Sequence, residues 1–168
     1  MTMTRRVRPI PARAAFERLV FHPVDQEKRP AADARIAATA AVGVGHNAWR
    51  GAWLAAHADP DEIVFTTDWD DFPSLFFYNH WNRYIVGLDT SYMAMKDRAL
   101  YEFWRQLTRG EGDPLSGSIL RVFRSRWAFT KKDKTAFIQK ADADAAMHRV
   151  HEDSKTIAFI PLHPIALG

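Results

Sequence analysis

Three aspartates, Asp68, Asp70 and Asp71, fall within four positions of the segment EIVFTTDWDDFPSLFFYNHWNRYIVGLD, residues 62–89. Carboxylates this close can hold a divalent cation, orient sugar hydroxyls, or divide the roles of nucleophile and acid/base between them. Trp69 and Trp81 flank them with ring faces able to stack on a sugar or a base. Asn79 and Asp89 complete the polar set that could contact a ligand. Each residue type also has a structural use. Aspartate is a favoured helix cap, Asp71 before Phe72-Pro73 sits where a cap belongs, and aromatic side chains most often pack in cores.

Several chemistries are absent from the sequence. There is no cysteine, which excludes disulfides, thiolate metal sites and a cysteine nucleophile. The histidines at 22, 46, 57, 80, 148, 151 and 163 form no HxxxH pair, so no zinc site is expected. Nucleophile elbows (GxSxG), P-loops (GxxxxGK[ST]) and dinucleotide fingerprints (GxGxxG) are missing. One enzymatic alternative stands. IVFTTDWDDF resembles the strand-then-DxD opening of haloacid-dehalogenase-like phosphatases. That resemblance implies a magnesium-dependent hydrolase with Asp68 as nucleophile, Asp70 as acid/base and Thr130 in the second motif. Asp71-Phe72 replaces the usual Gly-Thr, and no late acidic pair ends a strand.

The elements that must position these residues follow from apolar spacing. Asn47 can cap a helix carrying Trp49, Ala52, Trp53 and Ala56 on one side and stopping at Asp59-Pro60. Residues 62–67 read as a strand. Asp70 or Asp71 then caps a helix with Pro73 in its first turn; Phe72, Leu75, Phe76 and Asn79 share one face and Phe77 and Tyr78 the other, the pattern of a buried helix. Residues 83–88 read as a second strand. A single helix from about Ser91 places Leu100, Phe103, Trp104 and Leu107 on one stripe and ends at Arg109-Gly110. Ser116 can cap the next helix, 126–130 is a third strand, Asp133 caps a helix to about Ala141, and the end forms a hairpin turning at Asp153-Ser154. The order predicts an α/β fold: a mostly parallel sheet of about five strands flanked by helices, with a C-terminal antiparallel hairpin at its edge. In such sheets sites form beyond the C-terminal strand ends, so Asp68, Asp70, Asp71, Asp89, Lys131 and Lys132 are expected on one rim.

The chain of 168 residues is ordinary in composition, 47% hydrophobic and 26% charged, and long enough to bury a core without staples. Its +3 charge is concentrated at the start, where residues 1–29 hold seven Lys/Arg against three Asp/Glu. Residues 1–46 therefore read as a basic, Pro/Ala-rich, loosely ordered arm, and 47–168 as a single α/β domain. The functional reading of the arm's arginines is an anionic partner such as nucleic acid or lipid headgroups, or docking on a membrane protein partner; no aromatic or glycine pattern accompanies the charge, so nucleic acid is not expected and a solvated tail is the plainer reading. No run reaches the ~18–20 apolar residues of a membrane helix, and no hydrophobic stretch follows the basic start. The chain as written reads as soluble, without signal peptide or membrane span.

The blocks TTDWDDFPSLFFYN, NRYIVGLDTSYM, LYEFW and LTRG, continuing through SRWAFTKKDKTAFIQKADAD to HEDSKTIAFI, carry a family resemblance. The region from Trp49 to Leu162 resembles the C-terminal soluble domain of uncharacterised bacterial multi-spanning membrane proteins of the glycosyltransferase-C type, which look like lipid-linked-sugar-dependent transferases. In those proteins a polytopic membrane region precedes this block, and the soluble domain faces the extracytoplasmic side. The superfamily's catalytic acid lies in that membrane region, so no catalytic residue carries over to this chain. The resemblance implies an accessory, membrane-associated module that contacts a glycan, a lipid-linked sugar or the acceptor, without a cofactor, standing alone or as a fragment of a larger membrane protein.

Overall fold

A buried strand, β1 (Ile63–Thr66), organises the molecule, all four of its residues being shielded from solvent. Its side chains alternate between two cores, as strand geometry requires: Val64 points to one and Phe65 to the other. The computed structural model describes residues 48–162, with side chains from Gly51 onward. The basic arm, the Asn47 cap and the Trp49 side chain lie outside the described residues.

The other elements are α1 (Ala48–His57), α2 (Phe72–Tyr78), β2 (Arg83–Tyr84), α3 (Ser91–Lys96), α4 (Arg98–Thr108), α5 (Leu115–Arg121), β3 (Ser125–Lys131), α6 (Thr135–Ala143), β4 (Met147–Glu152) and β5 (Thr156–Pro161). They build one five-stranded sheet in the order β2-β1-β3-β5-β4. β1 pairs in parallel with β2 and β3, whereas β3–β5 and β5–β4 are antiparallel. The sheet is therefore mixed rather than mostly parallel. The C-terminal hairpin supplies two of the five strands, and β5 lies inside the sheet against β3, with only β4 at the edge. Alternating helices and strands in sequence do not reveal this, because a hairpin can add by either of its strands.

One sheet face carries Phe65, Ala128, Ile157 and Phe159 beneath Trp104, Leu107, Ile119 and Phe137 of α4, α5 and α6. The Trp104 indole N–H is satisfied by donating to the Thr66 carbonyl at 2.9 Å. The opposite face packs Val64, Tyr84, Trp127 and Phe129 against Leu54 and Ala58 on the α1 side and Phe72 and Leu75 of α2. Helices α1 and α2 meet closely: a Cβ at Gly51 would fall 2.5 Å from that of Tyr78.

Four expectations are corrected. The second strand is two residues long, not six: the Ile85 N–H still donates to the Val64 carbonyl at 3.3 Å, but the strand goes no further, and Ile85 and Val86 bury in the core with Met93 and Leu100. Helix α2 is not buried all round; Phe72 and Leu75 face the sheet while Phe77 is 69% exposed, since only one layer of the protein covers it. The helix expected from Ser91 is two helices, broken at Asp97, whose extended backbone lets its carboxylate accept from the Leu100 N–H at 2.9 Å as a cap. Neither Ser116 nor Asp133 caps. Pro114 and Lys134 hold those positions, and the Ser116 N–H instead donates to Asp144 at 2.8 Å. Asp153 does shape the final turn, accepting from the N–H groups of Lys155 and Thr156 at 2.7 and 2.6 Å. Among the described residues no helix is long and apolar enough to cross a membrane.

Candidate functional site at the ends of β1 and β3

The strands β1 and β3 are fastened together where they end. The Thr67 N–H donates to the Phe129 carbonyl at 3.2 Å, and the hydroxyls of Thr67 and Thr130, both buried, share a hydrogen bond of 2.8 Å. The loops that follow, residues 67–71 and 132–134, consequently leave the sheet side by side.

Their charges interlock. The Asp68 carboxylate meets Lys134 Nζ at 2.5 Å and also accepts from the Trp69 N–H at 2.8 Å. Partial burial opposes ionisation of Asp68, but the Lys134 hydrogen bond and charge outweigh it and hold the carboxyl below its usual range. Asp70, half exposed, receives Lys131 Nζ at 2.6 Å. The same ammonium lies 3.4 Å from Asp71, whose side chain is only 2% exposed. Burial pushes the Asp71 carboxyl up to about 6 against the pull of Lys131, and Asp70 adds to the rise. Its Oδ2 is buried with no hydrogen-bond partner. Asp71 stands at the N-cap position of α2 but makes no side-chain cap bond, because its carboxyl turns toward Lys131.

A cleft of about 490 Å³ opens over this network. Asp70, Asp71 and Ser74 form its β1 flank, Lys131, Lys132 and Asp133 its middle, and Ser154 and Lys155 of the hairpin turn its β5 flank. The Lys132 N–H ties middle to hairpin by donating to the Lys155 carbonyl at 2.8 Å.

The remaining sequence candidates lie apart from the cleft. Trp69 is 49% exposed but does not line it, and neither does Asp89, which accepts from the Ser91 N–H at 2.7 Å and is held below its usual range by that bond. Asn79 and Trp81 belong to the opposite end of the sheet. The Asn79 amide donates to Asn82 at 2.7 Å, Asn82 donates to the Asp59 carbonyl at 2.7 Å, and the Trp81 carbonyl accepts from the Asp61 N–H at 2.9 Å. These bonds brace the entry to β1. Among the lysines, Lys131 and Lys132 reach the expected rim. Lys134, Ser74, Asp133, Ser154 and Lys155 were not indicated by sequence reasoning; the density of lysine in TKKDK was the one signal available, while Ser154 and Lys155 arrive through a strand pairing that sequence does not display.

Chemically, all three loop carboxylates are paired with lysine, Asp68 and Asp70 at 2.5 and 2.6 Å and the enclosed Asp71 at 3.4 Å. No group of three or more metal-ligating side chains converges among the described residues. A magnesium ion at the loop would have to displace Lys131 and Lys134 from the carboxylates they hold. The arrangement suits exchange of hydrogen bonds with a polar ligand better than delivery of a nucleophile. Comparison of the chain with protein-family models, with curated proteins and with solved structures gives no match.

Proposed function

We propose that this chain is a non-catalytic α/β binding module, akin to the extracytoplasmic domain of glycosyltransferase-C-like membrane proteins, whose rim beyond β1 and β3 contacts a glycan or an acceptor. The observation that carries this reading is the lysine pairing of the whole aspartate loop: Asp68 with Lys134, and Asp70 and Asp71 with Lys131. Paired charges leave no free nucleophile, yet they offer donors and acceptors that can be exchanged for sugar hydroxyls at small cost. The exposed Trp69 adds an indole face of the kind that stacks on sugar rings. Saturation-transfer NMR against free and lipid-linked sugars tests the proposal; contacts should weaken in Trp69→Ala and Asp70→Ala, and absence of any sugar contact removes it.

The hydrolase reading has one favouring observation, the placement of Asp68 just beyond β1 and of Thr130 in the adjacent β3. A phosphatase screen with magnesium decides it. The binding module predicts an inactive protein; activity abolished by Asp68→Asn would install the hydrolase instead.

A further inference from the structure

The cleft is polarised from flank to flank. Of its three lysines, Lys131 is held by Asp70 and Asp71, and Lys132 pairs with Glu152 at 2.7 Å. Lys155, on the β5 flank, makes no ion pair among the described residues and stands exposed beside Ser154. Across the cleft, the Asp71 side chain is 2% exposed and its Oδ2 has no partner. A buried acceptor left unsatisfied costs about 1–3 kcal/mol, so the β1 flank, once the side chains that enclose Asp71 shift, favours a ligand that brings a donor. The β5 flank, where the Lys155 ammonium has no ion pair among the described residues, favours a ligand that brings an anion.

We propose that the cleft binds a polyhydroxylated anion, a phosphorylated sugar or a uronic acid, with its hydroxyls donating to Asp70 and Asp71 and its anionic group paired with Lys155. The proposal rests on the binding-module reading above and names its ligand class. A bare anion meets only half of the site: it has no donor for Asp71, and Asp70 and Asp133 repel it. A neutral sugar meets the other half, leaving Lys155 unused. A free amino acid would place its ammonium near the carboxylates and its carboxylate near Lys155, but it has no set of hydroxyls to span Ser74 and Ser154.

Calorimetric titration of the full chain with glucose 1-phosphate, glucuronate, glucose, inorganic phosphate and glycine tests this. Both anionic sugars should bind at least about tenfold tighter than glucose or phosphate; whichever of the two binds tighter identifies the preferred anionic group. Lys155→Ala, a change at an exposed turn, should erase that preference by lowering the affinity for both anionic sugars to that for glucose. Asp71→Asn should weaken every sugar. Should glucose bind as tightly as its phosphate, with Lys155→Ala indifferent, the inference is overturned and the binding module stands. Equal affinity for phosphate alone or for glycine also overturns it, as does failure of all three sugars to bind; the binding module itself stands or falls on the saturation-transfer measurement with free and lipid-linked sugars.

Discussion

Thr67 and Thr130 face each other across β1 and β3, their buried hydroxyls 2.8 Å apart, and this bond joins the strand ends from which the Asp70–Asp71 flank and the Lys132–Asp133 middle of the cleft emerge. Replacing Thr130 by Val keeps the shape and removes the partner, leaving the Thr67 hydroxyl buried and unsatisfied. The expected loss is about 1–3 kcal/mol. In Thr67→Val/Thr130→Val both hydroxyls are gone, and most of that loss should return, although Thr130 also donates to the Lys131 carbonyl at 3.2 Å. Urea denaturation of the three variants measures it. Additive losses in the double variant would mean that the hydroxyls do not act as a pair.

The Asp68–Lys134 contact shows what could be read from sequence and what could not. The DWDD loop was legible, because a β-branched run followed by polar residues and a proline-started helix has few other solutions. Its partner loop was legible in part, since TKKDK follows a recognisable strand. That β1 and β3 are neighbours, and so that these charges meet, depends on the strand order, which local periodicity does not encode. The same reason explains the hairpin. Alternation in residues 147–161 marks two strands, but nothing in it tells that β5 rather than β4 pairs with β3. Asn79 and Trp81 mislead for a related cause: they are close to Asp71 along the chain, and a helix of seven residues carries them to the other end of the sheet.

Asp71 makes stability depend on pH. Its folded-state pKa is raised from 3.8 to about 6, so the folded protein binds this proton more tightly than the unfolded chain. The contribution is full below about 3.8 and lost as pH rises through about 6, an amplitude of roughly 3 kcal/mol for a group this buried. Asp71→Asn removes the titration. Its thermal midpoint should exceed that of the parent near pH 8, and the difference should shrink as pH falls toward 4. A difference independent of pH would show that folding does not raise the Asp71 pKa.

Gly51 opposes two effects of known size. Alanine there would favour helix α1 by about 1 kcal/mol through propensity. Its Cβ, however, would lie 2.5 Å from the Cβ of Tyr78 on the neighbouring helix, and neither atom is the flexible end of a side chain. Overpacking of this kind costs about 1–3 kcal/mol, so Gly51→Ala should lower the urea midpoint. Because Tyr78 ends α2, whose Ser74 lines the cleft, the same variant should also perturb amide resonances at Asp70 and Ser74. A raised midpoint would mean that α1 and α2 can separate at no cost.

The Trp53 indole stacks with two imidazoles, its ring centroid 4.2 Å from that of His57 and 4.5 Å from that of His151, both nearly parallel to it. His57 is tied to its own helix by a bond of 2.8 Å between Nδ1 and the Trp53 carbonyl. His151 lies on β4, and its Nε2 is buried without a partner. Burial lowers the pKa of His151 below 6.5; the Asp153 charge opposes the shift and His57 reinforces it. The sign follows directly. The folded state favours the neutral ring, so this contribution is present above the unfolded value of 6.5 and is lost as pH falls through the lower folded value. Acidification should therefore weaken the joint between α1 and the β4 edge, opposite in direction to the effect of Asp71. His151→Phe keeps a ring against Trp53 and cannot titrate, so it should retain the joint on acidification. Hydrogen exchange of α1 amides, compared between about pH 7 and 5 after correction for intrinsic rates, reads the effect locally. The parent should lose protection in α1 on acidification and His151→Phe should not; equal loss in both would place the sensitive group elsewhere.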